Sequence, residues 1–334
     1  MLSIHRHVLK DAWNTVINTW YLWPLGLFAS LLGNGSDYQL LYDQIQIINN
    51  QQFLIVKLNE LLLTPMIQLS QAMSNWNAIH FIVAIIFILL ICLLVWATIS
   101  SVTGLIYGTA KKIKGEDSSI KELIAVGNKN FFSTLGYVVI SKVVIGFIIA
   151  VIFTPLLVAT YQAGYSYSNT IVGYLLVVLV IPIMIVINFI TKFAIASSVL
   201  EGFNFKNSWL HAWRLFKDNW LIVIEQAVIL LMVNLAIGLV LIVGFFIVFG
   251  PFFLLGSVTY GGFFPLVILG ILLTGILIVF LGSLLGFFQY AAWTSLYLHL
   301  NENPSYLPKI VRFISGLPSY FNEKAKNIND KNNS

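Results

Sequence analysis

"SWLHAWRLFKDNW", Ser208 to Trp220, runs directly into "LIVIEQAVILLMVNLAIGLVLIVGFFIVFG", Leu221 to Gly250, and the join between them decides the fold. In the first piece Trp209, Trp213, Phe216 and Trp220 recur at intervals of 4, 3 and 4 residues. On an α-helix they share one stripe, with Arg214 and Asp218 turned away from it. Such a helix lies in the headgroup plane of a membrane, rings toward lipid and charges toward water. The second piece has a single charge, Glu225, in 30 residues. That is enough to cross a bilayer, which takes about 20 apolar residues. Belt and span together predict a chain that runs along a membrane surface and then passes through it.

The rest of the sequence repeats this character. Of 334 residues, 59% are hydrophobic and 9% are charged, against about 25% charged in soluble domains. No Asp, Glu, Lys or Arg occurs from Val143 to Thr191 or from Gln226 to Asn301. Each run exceeds one span and must fold back on itself. In lipid every backbone donor and acceptor needs an internal partner, and the short alternating segments of a barrel are missing, so the spans are helices. The fold class is an all-α membrane protein with six expected spans: Trp20–Leu32, Ile79–Ala110, Phe131–Tyr161, Thr170–Thr191 with an extension to Leu200, Leu221–Phe249, and Phe264–Leu298. Turns are expected in "YQAGYSYSN" and in "GPFFLLGSVTYGG", where Gly250, Pro251, Gly261 and Gly262 punctuate the run.

Basic residues orient these spans. Segments 1–19, 111–130, 201–219 and 299–334 hold 2, 5, 3 and 5 of the 18 Lys and Arg residues. Lys142 and Lys192 fall just inside spans, and Lys57 alone lies in an opposite-side loop. Lys and Arg mark the cytoplasmic side, which predicts an inner membrane protein with both termini cytoplasmic. The net charge of +5 follows from that topology and does not argue for nucleic acid. Cys92 is alone, so it forms no intrachain disulfide. A cleavable leader is not expected, because Asp11, Asn14 and Asn18 interrupt the apolar core it would need.

The belt spacing occurs twice more, as Leu9, Trp13, Val16, Trp20 and as Ile120, Ile124, Gly127, Phe131. Each copy directly precedes an outward span. The chain therefore reads as three units, each an interfacial amphipathic helix plus a transmembrane hairpin, about an axis along the membrane normal. The expected interfacial anchors are Trp13, Trp20, Trp209, Trp213, Phe216 and Trp220. A single six-span membrane domain covers 1–298, with a helical outer loop at 34–78 that Pro65 breaks, and a polar cytoplasmic tail follows at 299–334. The outer loop reads as a helical pair resting on the span ends, or as a cap or docking surface for a partner.

From Pro182 to Leu231 the sequence, including "FAIASSVLEGFNFKNSWLHAWRLFKDNWLIVIEQAVILL", resembles the membrane-domain family named after glycerophosphoryl diester phosphodiesterases and related bacterial membrane families of unknown function. The resemblance is carried by a small-residue run, the acidic-glycine pair Glu201–Gly202, and Ser208, Trp209, Arg214, Lys217 and Trp220. The ending "YAAWTSLYLHLNEN" also fits. The resemblance implies an integral membrane region, in some relatives fused to a soluble phosphodiesterase barrel, and not itself catalytic. Only 36 residues follow Leu298, far short of the roughly 250 that such a barrel takes, so phosphodiesterase activity is not expected here.

Catalytic and cofactor motifs are missing: there is no HExxH, GxSxG or Walker loop. His5 and His7 make a poor metal site on a chain end. Ionisable groups inside a bilayer default to functional hypotheses. Lys142 and Glu225, in equivalent outward spans, are placed to pair: they either snorkel or hold the bundle by one salt bridge, a structural role, or with Asn188 and Asn234 they form a candidate polar pocket. Two functional readings follow. The first is a non-enzymatic scaffold that organises membrane lipids or a protein partner, docked at the outer loop or the interfacial helices. The alternative is a transporter or lipid-handling protein using that pocket. An intramembrane enzyme would need a clustered acid and base, and only one carboxylate is embedded in the spans.

Overall fold

The structure, a computed structural model, describes residues 4–32, 39, 42–46, 78–163, 167–258 and 263–302. The expectations for the outer loop at 34–78 (Lys57 and Pro65 included), most of the tail, and the turn residues 164–166 and 259–262 lie largely or wholly outside the described residues. Among the described residues the regular structure is helical, without strands. The helices are α1 (Ile4–Asn18), a one-turn 3-10 helix (Trp20–Leu22), α2 (Trp23–Ser30), α3 (Ala78–Ile113), α4 (Ile120–Lys129), α5 (Phe131–Ala163), α6 (Tyr167–Leu200), α7 (Phe205–Val258) and α8 (Phe263–Glu302).

Five of them, α3, α5, α6, α7 and α8, are long and apolar enough to cross a membrane. The first expected span, Trp20–Leu32, is represented by α2, only 8 residues long. That is about 12 Å, less than half of a hydrocarbon core of about 30 Å. The last expected turn also moves. Helix α7 continues through Gly250 and Pro251 to Val258. A proline removes one backbone donor, and a long helix in an apolar setting absorbs the loss, as α5 does at Pro155 and α6 at Pro182.

The belts end in a common way. Helix α1, helix α4 and the first part of α7 each stop at a residue with non-helical backbone: Thr19 (φ −129, ψ 52), Asn130 (φ −100, ψ 9) and Asn219 (φ −127, ψ 21). Each of these side chains donates to the carbonyl four residues back, at 2.6 Å to Thr15, 3.0 Å to Val126 and 3.1 Å to Leu215. At Thr19 and Asn130 the backbone N–H reaches the same carbonyl, at 3.1 Å in each case, so the side chain adds a second bond where the helix stops. From residue 8 to 22 and from 208 to 222, buried, half-buried and exposed residues follow in the same order, position by position. The inward faces are Val8, Ala12 and Val16 in α1, Leu123 and Gly127 in α4, and Ser208, Ala212 and Phe216 in α7.

This corrects one expected anchor. Trp13, Trp20, Trp213 and Trp220 are at least half exposed, but Phe216 is 8% exposed and belongs to the core. A three-residue step turns a helix about 300°, so Phe216 sits some 60° off the line of Trp213 and is covered by its neighbours. Trp209 is half-buried, its ring 6.0 Å from Tyr137.

Packing closes the helices into a ring. Helix α2 lies between α8 and α3, α5 packs on α3 and α6, and α7 packs on α6 and α8. The long helices α3, α6 and α8 also touch one another. Each belt docks on a long helix: α1 on α8 from the other end of the sequence, α4 on the preceding α3, and the α7 belt on the preceding α6, where His211 meets Ser197. Glycines allow the close approaches. A Cβ on Gly127 would lie 2.8 Å from the Ser100 carbonyl oxygen, and one on Gly286 would lie 2.6 Å from that of Gly26. Such small-residue contacts bring helices together in lipid, where no hydrophobic effect drives association. Helix α4 is further fixed at its start, where the Ser119 hydroxyl accepts from the Glu122 amide. Glu122 accepts from Lys111 at 2.8 Å and from Tyr107 at 3.0 Å on α3. The Lys111 and Tyr107 bonds hold its carboxyl below the usual carboxylate range.

Candidate ligand cavity

Lys192 stands on α6 eight residues before Leu200, the helix end, or about 12 Å into the helix. Its ammonium lies 4.8 Å from the ring centre of Trp293 on α8, a cation–π contact that partly offsets desolvation. Three cavities meet at this pair. A small one of about 40 Å³ is walled by Lys142 and Ser141 of α5, by Asn188 and Thr191 of α6, and by Thr294 of α8. A second, of about 300 Å³, opens along α2 and α8 beside Gln289. The third, of about 420 Å³, is a cleft between α6 and α7 backed by Gln289 and Trp293. Val228 and Leu231 at its mouth are about half exposed on the apolar outer surface.

The walls are cationic and short of acceptors. Among the described residues no carboxylate lines any of the three cavities, and none pairs with Lys192. Asn188 is 9% exposed and lines two of them, yet its amide has no hydrogen-bond partner among the described residues. Buried amides are almost always bonded. The Thr191, Ser141 and Thr294 hydroxyls instead donate to carbonyls of their own helices, at 2.8 Å each.

The four pocket residues read from the sequence therefore divide. Lys142 and Asn188 share the small cavity, while Asn188 and Asn234 share the cleft. There Gln289 donates to the Asn234 carbonyl oxygen at 2.6 Å. Glu225 lines none of these spaces and takes a different partner from the one expected. His5 of α1 donates from Nε2 to Glu225 at 2.7 Å, and its Nδ1 lies 2.9 Å from the Gln226 side-chain oxygen. This buried clasp ties α1 to α7. Sequence reading missed Lys192, Gln289 and Trp293 as cavity residues. The available signal was that Lys192 ends a charge-free run well short of the next loop charge, Glu201.

A second polar cluster lies where α6 ends. Tyr297 donates to Glu201, Asn301 donates to it at 2.9 Å, and Ser197 lies 3.0 Å from the Tyr297 hydroxyl and 2.9 Å from His211 Nδ1. Ser197 is fully buried, so the Ser–His contact offers no substrate access and acts as a strut. Gly202, at φ +69, supplies the left-handed residue that ends α6. The Glu201–Gly202 pair thus stops one helix and ties it to α8.

Set against family models, curated proteins and solved structures, the chain finds no match.

Proposed function

We propose that this chain is a non-enzymatic, lipid-handling protein of the bacterial inner membrane, binding its ligand in the cavity around Lys192. The observation that carries this reading is that Lys192, without an ion partner, and the nearly buried Asn188 amide, without a hydrogen bond, both among the described residues, line the same two cavities. A purely structural bundle has no use for either group, because both cost free energy to bury without a partner. This favours the lipid-handling alternative over a scaffold. The organisation that goes with it is three repeats and six spans, with the basic loops and both termini cytoplasmic. The matched order of burial at 8–22 and 208–222, and the three belts broken by Thr19, Asn130 and Asn219, support the repeat. Membrane lipids are the expected partners of the exposed belt tryptophans.

Native mass spectrometry of protein extracted gently from its own membrane tests the proposal. A defined ligand of one per chain, lost in Asn188→Leu and in Lys192→Met while the protein stays folded, is the expected result. Bulk lipid that both variants retain equally would contradict it.

A further inference from the structure

Resting on that reading, we infer that the ligand is an anionic amphiphile. Its oxyanion headgroup sits between Lys192, Lys142 and the Asn188 amide, and its apolar chain lies in the α6–α7 cleft.

Charge is the first argument. Lys142 and Lys192 face the same small cavity, and the described walls carry no carboxylate. Removing the Lys192 ammonium from water is costly unless an opposite charge or hydrogen bonds compensate. Trp293 covers one face of Lys192 with π density, which stabilises a cation without neutralising it. A bound oxyanion supplies the missing compensation.

Donor chemistry is the second. Ammonium groups and an amide N–H are donors suited to phosphate or carboxylate oxygens. The Asn188 amide is 9% exposed and has no partner among the described residues, yet it borders both the small cavity and the cleft. It therefore stands where a headgroup would meet its tail.

Shape is the third. Ile185, Phe189, Ile224, Ala227, Val228 and Leu231 give the cleft apolar sides. With Val228 and Leu231 half exposed on the lipid-facing surface, the cleft opens sideways to the bilayer. A soluble anion would have no use for this opening, whereas an acyl chain would fill it.

The test uses the full-length protein in detergent, titrated with phosphatidylglycerol, phosphatidylcholine or inorganic phosphate, and read by native mass spectrometry. Phosphatidylglycerol is expected to bind one per chain, at least about tenfold more tightly than phosphatidylcholine. Lys192→Gln should remove that preference and Lys192→Arg should keep it, while Lys217→Gln on the exposed belt changes nothing. A monodisperse size-exclusion profile confirms that each variant is folded. Equal binding of both lipids, unaffected by Lys192→Gln but lost in Asn188→Leu, overturns the anionic headgroup and leaves the cavity as a binding site. Binding unaffected by Asn188→Leu as well overturns the cavity reading itself. Site-specific uptake of inorganic phosphate without lipid overturns the amphiphile.

Discussion

A buried polar side chain is informative because of what surrounds it. Lys192 and His5 show the two cases: the His5 ring nitrogens lie 2.7 Å from Glu225 and 2.9 Å from the Gln226 side-chain oxygen, whereas Lys192 has no carboxylate partner among the described residues. His5→Ala should therefore act as a stability lesion. It removes the bond to Glu225 and leaves the buried Gln226 side-chain oxygen without the ring, a loss of about 1–3 kcal/mol, so the thermal midpoint in detergent should fall while ligand binding at full folding is unchanged. Lys192→Met should do the reverse, leaving the midpoint of delipidated protein level or raised, since it removes an uncompensated charge. Glu122 gives a pH prediction. Its carboxyl titrates below the usual range because Lys111 and Tyr107 bond the charged form. Its contribution is complete above the unfolded carboxylate range and is lost as pH falls through the lower folded value. Hydrogen exchange at residues 120–129 should therefore speed up only under strong acid, and in Glu122→Gln it should be fast at neutral pH as well. Little of this was legible beforehand. Sequence shows that Glu225 and Lys142 are embedded, but partners separated by some 220 residues, such as His5 and Glu225, follow from packing and not from spacing.

At the scale of elements, the belts were the most readable part of the chain. Their aromatic spacing survives as exposed Trp13, Trp20, Trp213 and Trp220. The opposite face was not readable. Small residues such as Ala12, Gly127 and Ala212 are common in membrane helices and announce nothing until a neighbour is seen against them. Phe216 was misplaced for the same reason, since periodicity gives an angle but not which flank a second helix covers. Gly127→Val tests the docking of α4: its side chain would meet the Ser100 carbonyl at 2.8 Å or closer, and overpacking of this kind costs about 1–3 kcal/mol. The expected result is a lower thermal midpoint with α4 released to fast exchange. Gly146→Ala, which meets nothing within 4 Å, should leave both unchanged.

For the whole molecule, the all-α membrane class was legible in composition and charge-free runs. Five helices long and apolar enough to cross a membrane agree with it, while the sixth span and the repeat belong to the proposal. Where the chain first crosses was less legible, because α2 is short and an apolar stretch of intermediate length fits a span or a buried turn equally well. The proposed topology predicts accessibility. In a Cys92→Ser background, Glu116→Cys and Lys217→Cys should react with a membrane-impermeant maleimide only after the inner membrane is opened, and Tyr167→Cys should react in intact spheroplasts. The ring of helices brings α5, α6 and α8 to one polar space. The most direct test of that space is an electron cryomicroscopy map of the protein held in its native lipids. The account predicts elongated density in the α6–α7 cleft ending in a headgroup against Lys192 and Asn188. A cleft closed by side chains, with Lys192 paired to a carboxylate of the protein, would contradict it.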